Sequence, residues 1–215
     1  MKQYIELLKQ IEKNGTMKPA ARAGMPGTKS LFGYQFRHNL AEGFPLLTTK
    51  KINFKNIAIE LLWFLNGETN IKTLVDQGCN IWNEDAYNYY VKIAEKNLSF
   101  DANNIYCDVE DGTLRMYHFD EFIEIIKENT LLDLIKTYSY NGYTIGDCGK
   151  QYGWLWRRWI SATNDQQPPN YENRIIRIDQ FQELLKGLQT NPMSRRHILT
   201  AWNPTTLDEM ALNAC

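Results

Sequence analysis

The chain has 215 residues, 43% of them hydrophobic and 23% charged, with a formal net charge of -1 and a pI near 6.3. Length and apolar content suit one globular domain, or two small ones, around a real core. The near-neutral charge excludes a general attraction to nucleic acid or membrane and leaves room for a local basic site that holds a small anion.

The four cysteines, Cys79, Cys107, Cys148 and Cys215, form no CxxC pair, and histidine is limited to His38, His118 and His197, so no metal site is expected. Met1-Lys2-Gln3-Tyr4 leads straight into an amphipathic pattern rather than a secretory core. With no apolar run of about 18 residues, no membrane span is expected. A reducing cytoplasm is the expected setting, and Cys79, Cys107 and Cys148 are expected to be small buried hydrophobes.

Tyr4, Ile5, Leu7, Leu8 and Ile11 predict a helix over 2–13, stopped by Asn14-Gly15. A Pro/Gly/Ala-rich loop carrying Arg22 follows, then a predicted strand over 30–40 (SLFGYQFRHNL) and a short strand or loop over 44–51 (FPLLTTKK). The strongest helix is NFKNIAIELLWFLNGETN, with Asn53 as candidate cap, Asn66-Gly67 as its end, and Ile57, Leu61, Phe64 and Leu65 expected inward. Residues 70–85 predict a short helix and a turn bearing Trp82. The stretch from 86 to about 142 is rich in Asn, Asp, Glu and Tyr. It holds an acidic turn, DVEDG, and one or two short helices through Phe119, Phe122, Ile123, Ile126, Leu131, Leu134 and Ile135. It reads as an inserted subdomain. GDCGKQYGWLWRRW packs glycine, aromatic and basic residues in close order, and PPNYENR reads as a loop. IDQFQELLKGLQTNP predicts a helix with Phe181, Leu184, Leu185 and Leu188 inward, and RRHILTAW a buried strand.

Several side chains carry potential chemistry, each with two readings from pattern alone. Glu60 rides among the apolar positions of its helix, either as an edge carboxylate reaching water or as a carboxylate held at a cleft to relay protons. Arg195 and Arg196 are either two surface arginines or a pair whose forks grip one phosphate, with Arg22 as a third ligand. Cys215 is either a small hydrophobe or, beside arginines, a nucleophilic thiolate. Spacing does not separate it from the other cysteines.

FPLLTTKK, ELLWFLNGETNI, Ile81-Trp82, Tyr152-Gly153, SRRHILTAWNP and LDEMALNAC stand in the order and spacing of one family: the chain resembles thymidylate synthase over about 1–85 and 146–215. The resemblance implies an α+β fold, a large mixed sheet packed by helices, truncated here and carrying 86–145 as an insertion. It implies reductive methylation of dUMP to dTMP with 5,10-methylenetetrahydrofolate as cosubstrate and no metal. Through it Cys215 becomes the nucleophile that adds to C6 of the pyrimidine. Glu60 organises water and moves protons, and Tyr152 supports proton removal from C5. Arg22 binds the phosphate, and Arg195 and Arg196 reach the phosphate of the partner subunit in an obligate homodimer. Trp82 lines the folate side, Lys50 lies near the folate tail, and Asn203 supports the site from behind. A pyrimidine hydroxymethylase of the same family, or an inactive fragment that pairs with another subunit, are the alternatives. Overall acidity argues against a stable nucleic-acid partner.

Three departures stand out: Ala21-Arg22-Ala23-Gly24 where the family usually has Asp-Arg-Thr-Gly, Gly149-Lys150-Gln151-Tyr152-Gly153 where it has Gly-Pro-x-Tyr-Gly, and Ala214 in place of a frequent proline. The family also continues well past its cysteine, so the 215 residues alone are expected to be inactive and poorly soluble, with sheet edge and apolar surface uncovered.

Overall fold

Residues 2–20, 26–96, 105–108, 114–164, 173–206 and 210–212 are described, from a computed structural model. They divide into two compact units, Met1–Asn53 and Phe54–Cys215.

In the first unit, α1 (Lys2–Asn14) fills the predicted helix, and Gly15 closes it through a 2.9 Å bond to the Ile11 carbonyl. The Lys29 ammonium bonds the Glu12 carbonyl, placing a cation on the negative end of the helix. Strands β1 (Thr16–Lys18) and β2 (Thr28–Ser30) pair antiparallel, Met17 opposite Lys29. The strand predicted over 30–40 does not form. Gly33 interrupts it, no described segment pairs with 31–39, and Phe32 and Phe36 stay exposed. A single 3₁₀ turn, Leu40–Glu42, ends that stretch under an Asn39 cap, and 44–51 is irregular.

The second unit is built on α2 (Phe54–Leu65), which starts beside Asn53 and ends at Gly67, whose φ of +72° suits glycine. Its buried face is Ile59, Trp63 and Phe64; Ile57 and Leu61, expected inward, are exposed. Ile59 and Trp63 stand one turn apart on the side that meets Trp82, so tertiary packing selected a different stripe of a nearly all-apolar helix. After α3 (Lys72–Asp76), Trp82 sits in the turn before α4 (Asn83–Lys96). Next come the hairpin β3–β4 (Tyr106–Asp108, Leu114–Met116), α5 (Phe119–Glu128), α6 (Leu131–Thr137) and the hairpin β5–β6 (Ser139–Tyr140, Tyr143–Thr144). Asn141 and Gly142 turn the last hairpin with φ of +48° and +82°, the left-handed pair that two-residue loops require. Then α7 (Tyr152–Arg157) leads into the hairpin β7–β8 (Trp159–Asn164, Asn173–Ile178) and α8 (Gln180–Thr190).

One core joins these pieces: Trp63, Ile71 and Leu74 pack with Tyr90, Phe122, Ile126 and Ile145. The stretch 86–145 therefore shares its core with α2 and α3 instead of folding around its own. Helices and small antiparallel strands together make the class α+β. In place of a large mixed sheet, the described residues form four two-stranded antiparallel sheets. The run RRHILTAW is not a buried strand. It is irregular, with Ile198 67% and Trp202 56% exposed, because no described strand lies alongside to take its main-chain hydrogen bonds. In α8, Leu185 and Leu188 are exposed where they were expected inward. Gln180 is the buried residue instead, its amide bonding the Leu155 carbonyl at 2.8 Å and the Thr200 carbonyl at 3.0 Å. The DVEDG turn beyond Asp108 and the PPNYENR loop up to Glu172 lie outside the described residues, while Asn173 and Arg174 belong to β8. Cys79 and Cys148 are buried free thiols, as expected; the Cys107 side chain lies outside the description. No helix among the described residues is long and apolar enough to cross a membrane.

The start of α5 carries a pH-sensitive clamp. Glu121 receives both arms of the Arg115 guanidinium, at 2.8 and 2.6 Å, and the His118 main-chain N–H at 2.7 Å. These partners, Arg115 first, hold its carboxyl down at about 2. A carboxyl depressed by folding contributes stability above its unfolded pKa of about 4.3, and that contribution is lost as pH falls to the folded value. The pair is partly exposed, so the contribution is about 1 kcal/mol at most. Unfolding titrated from pH 5 to pH 2 is expected to show a shallower acid loss of stability in Glu121→Gln than in the parent; equal slopes would refute the clamp.

Candidate functional site

The site assembles around the C-terminal half of α2. Glu60 lies on its second turn, and its carboxylate accepts a 2.6 Å hydrogen bond from the indole Nε1 of Trp82, a charge-assisted contact between residues 22 apart in sequence. Trp82 is 4% exposed. Its ring packs on Trp63 at 5.6 Å and edge-on to Phe64 at 5.9 Å, which fixes the direction of the N–H. Cys79 is buried nearby. Burial pushes its thiol up; the Ile81 main chain works against this and the Glu60 charge adds to it. Cys79 therefore stays a neutral thiol beside the carboxylate.

The aromatic wall continues to α7. Phe64 lies 5.0 Å from the Tyr152 ring and 5.9 Å from Trp156, and Tyr152 and Trp156, one turn apart, are 5.8 Å from each other. This close approach needs Gly153: a Cβ there would stand 3.0 Å from the Phe64 carbonyl oxygen and 2.9 Å from that of Glu68. Arg157 locks the arrangement, its guanidinium bonding the Leu65 carbonyl at the end of α2 and the Asp179 carboxylate at 2.9 Å. Asp179 in turn caps α8 through the Gln182 N–H.

A main-chain tie brings the approach to the C-terminal cysteine alongside. Gly149 and Met210 form an antiparallel bridge, and the Ala211 N–H donates to the Cys148 carbonyl at 2.8 Å. Residues 210–212 thus dock three to four residues before Tyr152. Met210 is buried with Leu155 and Ala201 in a second, small core that includes the Tyr152 ring at its edge.

Of the predicted site residues, the structure brings Glu60, Trp82 and Tyr152 onto one aromatic cluster. Cys215 and Arg22 lie outside the described residues. Arg195 and Arg196 are exposed in the irregular stretch after α8, where the Arg196 N–H bonds the Ser194 hydroxyl at 3.2 Å. Lys50 is exposed in the first unit. Asn203 is buried and closes its own turn, accepting from the Thr205 N–H at 3.1 Å and the Thr205 hydroxyl at 2.8 Å. Sequence reasoning missed Phe64 as the hinge of the wall, Trp156, and Gln151, which is buried immediately before Tyr152. The one-turn spacing of Tyr152 and Trp156 was the available signal. A cleft of about 440 Å³, lined by Tyr89, Asp147, Lys150, Trp154 and Arg158 among others, contains none of the predicted residues.

A family model described as thymidylate synthase matches residues 2–215. The chain belongs to the thymidylate synthase family. It is 39% identical over 219 residues to the thymidylate synthase of Listeria innocua serovar 6a, across the whole of this chain and 62% of that relative. It is 38% identical over 219 residues to that of Listeria monocytogenes serotype 4b, with the same coverage. It is 39% identical over 191 residues to that of Staphylococcus haemolyticus, which covers 88% of this chain and 54% of the relative. The chain thus spans less than two thirds of the length of these thymidylate synthases.

Proposed function

We propose that the protein converts dUMP to dTMP by reductive methylation, with 5,10-methylenetetrahydrofolate supplying the carbon and the hydride. The observation that carries the reading is the 2.6 Å bond between Trp82 and Glu60 at one end of an aromatic wall whose other end is Tyr152. It orients a carboxylate against an apolar surface, as proton relay at a planar base demands. In this reading the Cys215 thiolate adds to C6 of the pyrimidine and leaves at the end, so C5 is nucleophilic only while the adduct lasts. Tyr152 supports departure of the C5 proton. Glu60 holds water and moves protons at the pyrimidine and the folate. Arg22 binds the phosphate, Arg195 and Arg196 supply the phosphate ligands of a two-fold partner, and Trp82 and Lys50 face the folate. The stretch 86–145 is an insertion within the same domain, and the setting is cytoplasmic.

Given dUMP tritiated at C5 and the folate, the protein completed by the family's segment beyond residue 215, which is the parent in every assay below, is expected to release tritium to water and form dTMP and dihydrofolate in equal amounts, whereas the 215 residues alone are expected to form none. Cys215→Ala should lose all three. A 5-hydroxymethyl product in place of dTMP would assign the hydroxymethylase chemistry instead. Release that persists in Cys215→Ala would remove the covalent step. Absence of both products would leave the non-catalytic partner.

A further inference from the structure

Gln151 is 1% exposed, and among the described residues neither its amide oxygen nor its amide nitrogen has a hydrogen-bond partner. It is the N-terminal cap residue of α7, with no side-chain capping bond, and its main-chain N–H turns back to the Gly149 carbonyl at 2.9 Å. One helical turn on is the buried Leu155, which packs with Ala201 and Met210, so the carboxamide is rooted beside apolar side chains. A buried primary amide with both ends unpaired opposes folding, and an apolar side chain of the same length would not. A buried group that opposes folding calls for a role other than stability.

Its position says what. Gln151 lies between two parts of the proposed site: directly after it α7 begins with Tyr152, and two residues before it Gly149 is bridged to Met210, on the segment leading to Cys215. Through the main chain Gln151 is tied both to the Tyr152 ring against Phe64 and to the 148–149 edge against 210–212. The sequence marks the same spot as unusual, with Lys150 where the family has proline.

We infer that Gln151 is a positioning residue for the reaction, its carboxamide left unpaired in the free protein and paired when substrate is bound, so that Tyr152 and the nucleophile-bearing segment are set in register. The partner it fits offers one donor and one acceptor side by side, as a peptide group or a pair of ordered waters does. This inference rests on the proposed methylation of dUMP.

The test is Gln151→Met, which keeps length and removes the amide. Without ligand the variant should melt higher than the parent, by roughly 2 °C or more. With dUMP tritiated at C5 and the folate, its kcat for tritium release should fall about tenfold or more while KM for dUMP stays within about threefold, the pattern of a group whose interaction is made beyond ground-state binding. A more stable protein that turns over more slowly is not explained by misfolding. Gln151→Glu, which restores an acceptor oxygen, should recover part of kcat when assayed at acid pH, where the carboxyl is neutral. A lower melting temperature in Gln151→Met would show that the amide is paired in the free protein and overturn the inference; so would an unchanged kcat. If the parent itself releases no tritium, the proposed function fails, and the melting comparison alone then decides whether Gln151 is an unpaired group.

Discussion

Replacing Glu60 by glutamine is expected to lower turnover of dUMP by about 10²-fold or more while leaving the melting temperature within about 2 °C of the parent. Glutamine has the same shape and keeps an oxygen that accepts from the Trp82 indole, so the 2.6 Å contact and the packing of Trp82 on Trp63 and Phe64 survive. What is lost is the negative charge and the ability to take and return a proton, a role worth about 10²–10⁴ where a side chain performs general acid–base work. Trp82→Phe makes the complementary change, since the ring still fills the wall but the N–H that aims the carboxylate is gone. Its expected effect on kcat is smaller, about tenfold, because the carboxylate remains and only its direction is freed. The double variant is the sharper measurement. If the indole acts only by orienting Glu60, then Glu60→Gln with Trp82→Phe is no slower than Glu60→Gln alone, and the two effects are far from additive. Additive effects would place Trp82 directly on the folate with no part in orienting the acid. Turnover within threefold of the parent in Glu60→Gln would take Glu60 out of the chemistry.

The boundaries of α2 were legible from Asn53 and Asn66-Gly67, but its inward face was not. Nine of its twelve residues are apolar and can be grouped into more than one stripe, and only contact with Trp82 and α7 selects Ile59, Trp63 and Phe64. The same blindness applies to α8. There Gln180 is buried because two carbonyls from distant segments receive its amide, a pairing that no local pattern announces. The β5–β6 hairpin had a clear signal in Asn141-Gly142, obscured by the polar composition around it. RRHILTAW failed in the opposite direction: its apolar content suits a strand, but a strand exists only where a neighbour takes its hydrogen bonds. For the site, residue types alone left Glu60 and Trp82 undecided. Their pairing is a product of the turn before α4 meeting the middle of α2, and the family resemblance pointed to both before the geometry joined them. The unpaired state of Gln151 is a property of packing around it and has no sequence signature.

The largest loss of stability from a single oxygen atom is expected at Tyr90. Tyr90→Phe should lower the melting temperature by about 5–15 °C. Tyr90 is fully buried in α4, and its hydroxyl does two things at once: it donates to the Ile105 carbonyl at 2.8 Å and accepts from the Tyr117 N–H at 2.8 Å. Burial pushes its phenol above the ordinary range, so it is a neutral donor at neutral pH. Through those two bonds one hydroxyl holds both flanks of the β3–β4 hairpin, since Ile105 precedes β3 and Tyr117 follows β4. Phenylalanine fills the same space and keeps the ring contacts with Phe122 and Tyr87, so no cavity opens. Two main-chain groups, however, lose the hydroxyl as a partner, at about 1–3 kcal/mol each. For a chain of this size each kcal/mol moves the melting temperature by about 2–4 °C. Tyr87→Phe is the control: its hydroxyl makes a single 3.1 Å bond to the Tyr117 carbonyl from a half-buried position, and its removal should cost at most a third as much. Calorimetry on the two variants separates the cases, and equal small losses would show that the hairpin is held by its aromatic packing alone. Turnover gives a second, independent check. Tyr90 lies two helical turns beyond the Trp82 end of α4, so below its melting temperature Tyr90→Phe should turn over dUMP at the parent's rate. A slower enzyme at full folding would mean that the hairpin, through α4, helps to hold the indole on the carboxylate.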